Sequence, residues 1–181
     1  EPRLLSKGIN GDIPSKPFGD ASEYAFSPDG STIYFSVRNL SAGEPWSTNF
    51  DIYAVPSDGS AEPKNLTASD PAWDAYPLPS RDGKTLYYLA MARPGMESDR
   101  FAIKAMHLET GETREVAGDW DRSAGPLKES VDGKRLYAGA DDDARPRALK
   151  QGALALLQKP ASPESLAEAL GTVKNFIDRR V

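Results

Sequence analysis

Ser27-Pro28-Asp29-Gly30-Ser31-Thr32-Ile33-Tyr34-Phe35 is the stretch that decides the fold, because the chain repeats it twice. Residues 80–88 read S-R-D-G-K-T-L-Y-Y, and residues 130–138 read S-V-D-G-K-R-L-Y-A. The aspartates of the three copies lie at positions 29, 82 and 132, which gives a period of about fifty residues. A repeat of roughly 40 to 50 residues built from short strands is typical of the blades of a β-propeller.

Each copy has the chemistry of a β-hairpin. Its Asp-Gly pair supplies the positive φ angle that a tight turn needs. After the first turn, Ile33, Phe35 and Val37 occupy alternate positions, which predicts a strand with two distinct faces. Residues 3–5 are compatible with an outer strand of a preceding blade. Beyond the first hairpin, the main predicted strands are residues 50–55, 63–67, 85–90, 101–108, 112–116 and 135–140. The pattern predicts a mainly β fold, a partial β-propeller with two four-stranded blades and the first half of a third.

The composition changes after the three aspartates at positions 141–143. Residues 144–181 are rich in Ala and Leu and contain no Asp-Gly turn. Ser162 is a suitable N-cap, and Pro163 a suitable first residue, for a helix with apolar side chains every three or four positions. We therefore predict a partial propeller over residues 1–143 and a helix–strand–helix α/β tail over residues 144–181.

The composition also excludes several classes of function. The chain has 181 residues, a net charge of −5 and no basic run, which argues against nucleic acid as a partner. It has no cysteine, and therefore no disulfide, thiolate nucleophile or cysteine-ligated zinc. No apolar stretch is long enough for a membrane helix, and we expect no cofactor. A periplasmic or secreted location is favoured over the cytoplasm, although the printed sequence shows no signal peptide.

Three stretches resemble the prolyl oligopeptidase family of serine peptidases, in particular its bacterial dipeptidyl-peptidase and acylaminoacyl-peptidase-like members. They are F-S-P-D-G at 26–30, E-P-W-S-T-N-F-D-I-Y at 44–53 and W-D-A-Y-P at 73–77. The resemblance covers about residues 10–142. It implies a propeller that sits over an α/β-hydrolase domain and restricts the access of peptides to a Ser-Asp-His triad.

The sequence lacks the hydrolase half of that family. It contains no G-x-S-x-G, the motif of the strand-to-helix turn that exposes a nucleophilic serine. His107 is the only histidine and falls in the predicted strand 101–108, so a structural or surface role is favoured over that of a triad base. We therefore expect a fragment without enzymatic activity of its own, which gates or positions peptide substrates for an α/β-hydrolase domain. Its open blade edges are expected to contact that domain or another copy of the chain.

Glu44 and Trp46 are the candidate substrate contacts, because long loops between the strands of such blades can reach the channel or the hydrolase. The alternative is a loop packed by its own tryptophan. Exopeptidases of the family hold the substrate amine with paired glutamates, and no Glu-Glu pair occurs in this sequence. Aspartate is a common calcium ligand, but each of the three repeated aspartates lies in an Asp-Gly turn on a different predicted blade. Turn chemistry is therefore favoured over a metal site.

The tail resembles the last third of a response-regulator receiver domain, over about residues 144–180. Lys159-Pro160 matches the Lys-Pro junction, whose lysine pairs with a phosphorylated aspartate in receivers. No phosphoacceptor aspartate precedes it here, so Lys159 is expected to be inactive. The alternatives are an ordinary amphipathic segment, or a signalling or protein-interaction module that uses this tail. The change from β-hairpin repeats to a helix–strand–helix pattern within one chain indicates a chimera or a discontinuous segment.

Overall fold

The computed structural model describes residues 3–16, 19–38 and 47–139. Within these ranges, ten strands form two four-stranded antiparallel sheets and one two-stranded sheet. Blade 1 consists of β1 (Tyr24–Phe26), β2 (Thr32–Arg38), β3 (Phe50–Pro56) and β4 (Lys64–Asn65). Blade 2 consists of β5 (Asp74–Pro79), β6 (Thr85–Ala90), β7 (Ala102–His107) and β8 (Thr113–Val116). The half-blade consists of β9 (Leu127–Glu129) and β10 (Leu136–Ala138).

The three repeated turns form the same hydrogen bonds, which is why the same sequence recurs. In each turn the glycine has a φ angle near +70°, at Gly30 (72°), Gly83 (70°) and Gly133 (67°). The glycine N–H donates to the carbonyl of the serine three residues earlier, at 2.9 to 3.0 Å. The hydroxyl of that serine donates to the turn aspartate at 2.6 Å in all three copies. The prediction of Asp-Gly hairpins is therefore confirmed at all three positions.

The sheets are stacked face to face, and both faces of the central strands are buried. The core between blades 1 and 2 contains Tyr34, Ile52, Leu86, Tyr88, Ala90 and Met106. The core between blade 2 and the half-blade contains Leu89, Ile103, Trp120, Ala124 and Leu127. Blade 2 is covered on one face by blade 1 and on the other by the half-blade, which is the arrangement expected of a propeller blade, so the predicted partial propeller is confirmed.

Residues 3–16 cover the outer face of blade 1 without forming the outer strand considered for residues 3–5. Their apolar side chains Leu5, Ile9 and Ile13 pack on a core of Phe35, Val37 and Val55. At Gly11 the backbone comes so close to β2 that an added Cβ would lie 2.7 Å from the Arg38 carbonyl oxygen. The segment is irregular because apolar contacts, rather than a ladder of backbone hydrogen bonds, hold it in place.

Strand β4 is shorter than the predicted strand 63–67. The N–H of Ile52 donates to the hydroxyl of Thr67 at 3.0 Å, whereas a longer ladder would use a backbone carbonyl. Two predicted features lie outside the described residues, namely the loop positions Glu44 and Trp46 and the tail 144–181 with Lys159. Within the described ranges, no helix is long and apolar enough to span a membrane.

Candidate functional site

The two ends of the blades differ in the connections that they carry. One end carries the tight hairpin turns. The other, here called the long-loop end, carries the connections between β2 and β3, between β6 and β7, and between successive blades. Loops held by a rigid scaffold are the usual location of binding residues, which makes the long-loop end the candidate site.

Four aromatic side chains form a continuous cluster at the long-loop end. Phe50 stacks on Trp73 with 4.7 Å between ring centroids. Phe101 meets the edge of Trp73 at 5.8 Å and the edge of Tyr76 at 6.2 Å. Phe50 is buried, whereas the other three side chains remain partly accessible. The cluster, comprising Phe50, Trp73, Tyr76 and Phe101, therefore joins blade 1 to blade 2 and still presents aromatic surface to water.

The stem of the β2–β3 loop is fastened beside this aromatic cluster. The N–H of Gly95, in the β6–β7 loop, donates to the Thr48 hydroxyl at 2.9 Å, so the long loops of the two blades are linked. The Arg38 guanidinium donates to the Ser47 carbonyl at 3.0 Å. The described stem thus places residues 47–49 of the predicted substrate-contacting loop at the long-loop end. Glu44 and Trp46 themselves lie outside the described residues.

Tyr76 has a strained backbone in the innermost strand of blade 2. Its φ angle is 57°, a left-handed conformation that costs a non-glycine residue about 1–2 kcal/mol. The register of β5 against β6 shifts between Ala75 and Leu78, so Tyr76 lies in a β-bulge. β5 is the first strand of its sheet and packs against β1, β2 and β3 of blade 1 and against β9 of the half-blade. The first strand of a propeller blade borders the central channel, so the bulge is expected on the channel side of the blades. Bulges of this kind redirect a side chain, here toward Phe101.

Asp74 is a fully buried carboxyl group next to the aromatic cluster. Its relative exposure is 0%, and neither carboxylate oxygen has a hydrogen-bond partner among the described residues. Burial, followed by the charge of Asp70, raises the pKa of Asp74 to about 8. The neighbouring Asp51 is also buried and accepts a hydrogen bond from the Asn65 amide at 2.8 Å. Burial likewise raises the pKa of Asp51.

His107 lies at the hairpin end, away from the aromatic cluster. It lies in a strand, as the sequence predicted, and is the last residue of β7, one residue short of the predicted end at position 108. Its Nδ1 accepts the N–H of Thr110 at 3.4 Å. The hydrogen bond of the His107 ring therefore lies within the hairpin between β7 and β8. The repeated aspartates at 29, 82 and 132 likewise accept hydrogen bonds within their own turns, as turn chemistry predicted.

Neither the buried carboxyl group of Asp74 nor the strained backbone of Tyr76 was predicted from the sequence. The pair Trp73-Asp74 was a signal, since it places an acid directly after a large aromatic residue at the start of β5. Tyr76 precedes Pro77, and a residue before proline is restricted toward extended conformations. Nothing in the sequence therefore pointed to its positive φ angle.

No protein-family model matches the chain. Dipeptidyl-peptidase 5 of Aspergillus fumigatus is 34% identical to it over 153 residues, which cover 80% of this chain and 21% of that protein. The probable dipeptidyl-peptidase 5 of Aspergillus terreus is 35% identical with the same coverage. The chain thus spans about a fifth of the length of these curated relatives.

Among solved structures, the putative TolB from Agrobacterium tumefaciens superposes with a TM-score of 0.52 and 22% identity. The match covers 68% of this chain and 39% of that chain, and at this identity it is a likeness of fold. Together the comparisons show a partial propeller that is similar in sequence to one part of proteins named as dipeptidyl-peptidases.

Proposed function

We propose that this chain is the propeller portion of a serine peptidase, and that it positions or gates peptide substrates for an α/β-hydrolase domain. The observation that carries the proposal is the similarity to dipeptidyl-peptidase 5 over 80% of the chain, in a segment with stacked blades. In this role the chain contributes recognition and steric selection, while bond cleavage takes place on the hydrolase domain.

The long-loop end has the chemistry that recognition of an extended peptide requires. Partly accessible aromatic faces bind apolar side chains with little loss of conformational entropy. The Tyr76 bulge brings one such ring to the channel side, and the link between Thr48 and Gly95 holds the flanking loops together. Peptides are therefore expected to contact Trp73, Tyr76 and Phe101 before they reach the hydrolase.

Binding can be tested on the full 181-residue chain by NMR, with unlabelled peptides of four to ten residues added to the ¹⁵N-labelled protein. We expect shift changes at the aromatic cluster and the 47–49 stem, with little change at Tyr137 in the half-blade. Tyr76→Phe, which keeps the ring, should bind nearly as well as wild type, whereas Tyr76→Ser should bind at least several-fold more weakly. Shifts confined to the hairpin end would contradict the proposed site.

The absence of catalysis by this chain is tested separately with chromogenic dipeptide substrates. We expect no turnover above buffer, since the proposal places the nucleophile on another domain. Turnover that co-purifies with the chain and disappears in His107→Ala would refute the non-catalytic role while leaving the peptide-binding result intact.

We also propose that the open edge of the half-blade is a contact for the hydrolase domain or another copy of the chain. Among the described strands, β10 pairs with β9 alone, and an edge without a partner strand is a site where another chain can pair. Light scattering coupled to size exclusion should show association that weakens in Ala138→Pro, which removes a backbone donor from the edge of β10 that faces away from β9. A monodisperse monomer at all concentrations would exclude self-association through this edge.

A further inference from the structure

Asp74 is buried at the long-loop end of the contact between blades 1 and 2. It is the first residue of β5 and directly follows Trp73, whose backbone forms a parallel bridge with Phe50 at the start of β3. The bridge and the ring stack of the same two residues link the blades directly at the long-loop end, beside the hydrogen bond between Gly95 and Thr48. A change in the state of Asp74 therefore acts on the residues that hold the blades together.

The surroundings of Asp74 favour an uncharged carboxyl group. Two carboxylates face it, Asp51 from β3 and Asp70 from the connection that precedes β5. Within the described part of the chain, Lys104 on β7 is the cation whose charge acts on Asp74, and its ammonium group lies 3.1 Å from Glu115, with which it pairs. Tyr88 on β6 is the remaining titratable neighbour, and burial followed by the charge of Asp74 raises the pKa of Tyr88 to about 12. Tyr88 therefore stays neutral while Asp74 titrates.

While blades 1 and 2 are packed together, an ionised Asp74 carboxylate lacks the counter-ion and hydrogen bonds that it needs. A buried charge needs a counter-ion or hydrogen bonds, and the two oxygens lack hydrogen-bond partners among the described residues. The nearby Thr67 hydroxyl favours the charged form but is outweighed by burial and the two acidic neighbours. Ionisation is therefore relieved most directly when the blades separate enough at this end to admit water.

We infer that Asp74 is a pH-sensitive switch in the contact between blades 1 and 2, closed while its carboxyl group is neutral and loosened when that group ionises. This inference concerns the fold of the chain and stands independently of the proposed peptide-binding role. The unfolded chain loses the Asp74 proton near the ordinary pKa of 3.8, whereas the folded chain holds it up to a pH of about 8. The contribution to stability is thus complete below pH 4 and is lost as pH rises toward 8.

The test uses the full chain labelled with 5-fluorotryptophan and followed by ¹⁹F NMR from pH 5 to pH 10. The three tryptophan signals are assigned by single Trp→Phe variants. We expect the Trp73 signal to shift or broaden with a midpoint near pH 8, while the Trp120 signal stays constant. Asp74→Asn should abolish the transition, and Asp70→Asn should move it to lower pH by removing a facing charge.

Asp82→Asn is the matched control, since this carboxyl lies in an exposed turn and should leave the Trp73 titration unchanged. A Trp73 signal that is constant to pH 10, or a transition that persists in Asp74→Asn, would overturn the inference. Carboxyl ¹³C NMR of the wild-type protein provides a readout that needs no variant at Asp74. An Asp74 midpoint below pH 5 would also overturn the inference.

Discussion

Leu86 and Leu89 test the stacking of the blades, because they lie on opposite faces of the same strand, β6. Both are fully buried, Leu86 in the core between blades 1 and 2 and Leu89 in the core between blade 2 and the half-blade. An antiparallel sheet with one face in water would bury only one of them. Replacing a fully buried leucine with alanine usually costs about 2–5 kcal/mol. We therefore expect Leu86→Ala and Leu89→Ala each to lower the free energy of unfolding by about 3 kcal/mol.

Urea unfolding followed by tryptophan fluorescence measures these losses from the midpoint and the slope of the transition. Val131→Ala is the control, because this side chain is 87% exposed and should change stability by less than about 0.5 kcal/mol. If Leu86→Ala costs about 3 kcal/mol and Leu89→Ala less than about 1 kcal/mol, the half-blade does not cover blade 2 and the stacked arrangement is refuted.

Three further predictions concern the turns and the segment over blade 1. Arg81→Ala should speed hydrogen exchange in β9 but not in β2, because the Arg81 guanidinium donates to the backbone at the end of β9 at 2.9 Å; equal effects in both strands would contradict this. Hydrogen bonds from the Ser27 hydroxyl and the following turn lower the pKa of Asp29 to about 2. The stability that this depressed pKa confers is therefore present above pH 4 and lost as pH falls toward 2, and an NMR titration should place the Asp29 midpoint higher in Ser27→Ala. Gly11→Ala should lower the melting temperature more than Gly118→Ala, whose added Cβ would meet nothing closer than 3.6 Å; similar effects would mean that residues 3–16 do not pack as described.

The hairpins could be predicted from sequence because their determinants lie within a few residues. A serine, an aspartate and a glycine at fixed spacing form each turn through their own hydrogen bonds, and alternating apolar residues on either side define the strands. Strand β6 accordingly has the predicted bounds, 85–90. The length of strand β4 was overestimated, because the Thr67 hydroxyl, rather than a backbone carbonyl, accepts the hydrogen bond of the Ile52 N–H. A side-chain acceptor of this kind leaves no periodic pattern in the sequence.

The candidate site was less predictable, because it depends on contacts between residues that are distant in sequence. Asp74 is buried only because blade 1 packs against the start of β5, and the positive φ of Tyr76 follows from a register shift against β6. The stacked pair Phe50 and Trp73 is likewise a product of assembly, although both residues fall within stretches that resemble a peptidase family. Short sequence patterns therefore predict the strands and turns of each blade, whereas the candidate site depends on contacts between blades.

The order of strands within the sheets has a consequence for how the chain folds. Among the strands that the structure describes, those of blades 1 and 2 pair with strands adjacent to them in sequence, so each blade closes short loops before any long-range contact is needed. Low contact order of this kind favours rapid formation of each blade, with the docking of one blade on the next as the later step. The rate of that docking step should therefore respond to Ile52 and Met106 in the shared core, and the earlier step to the Asp-Gly turns.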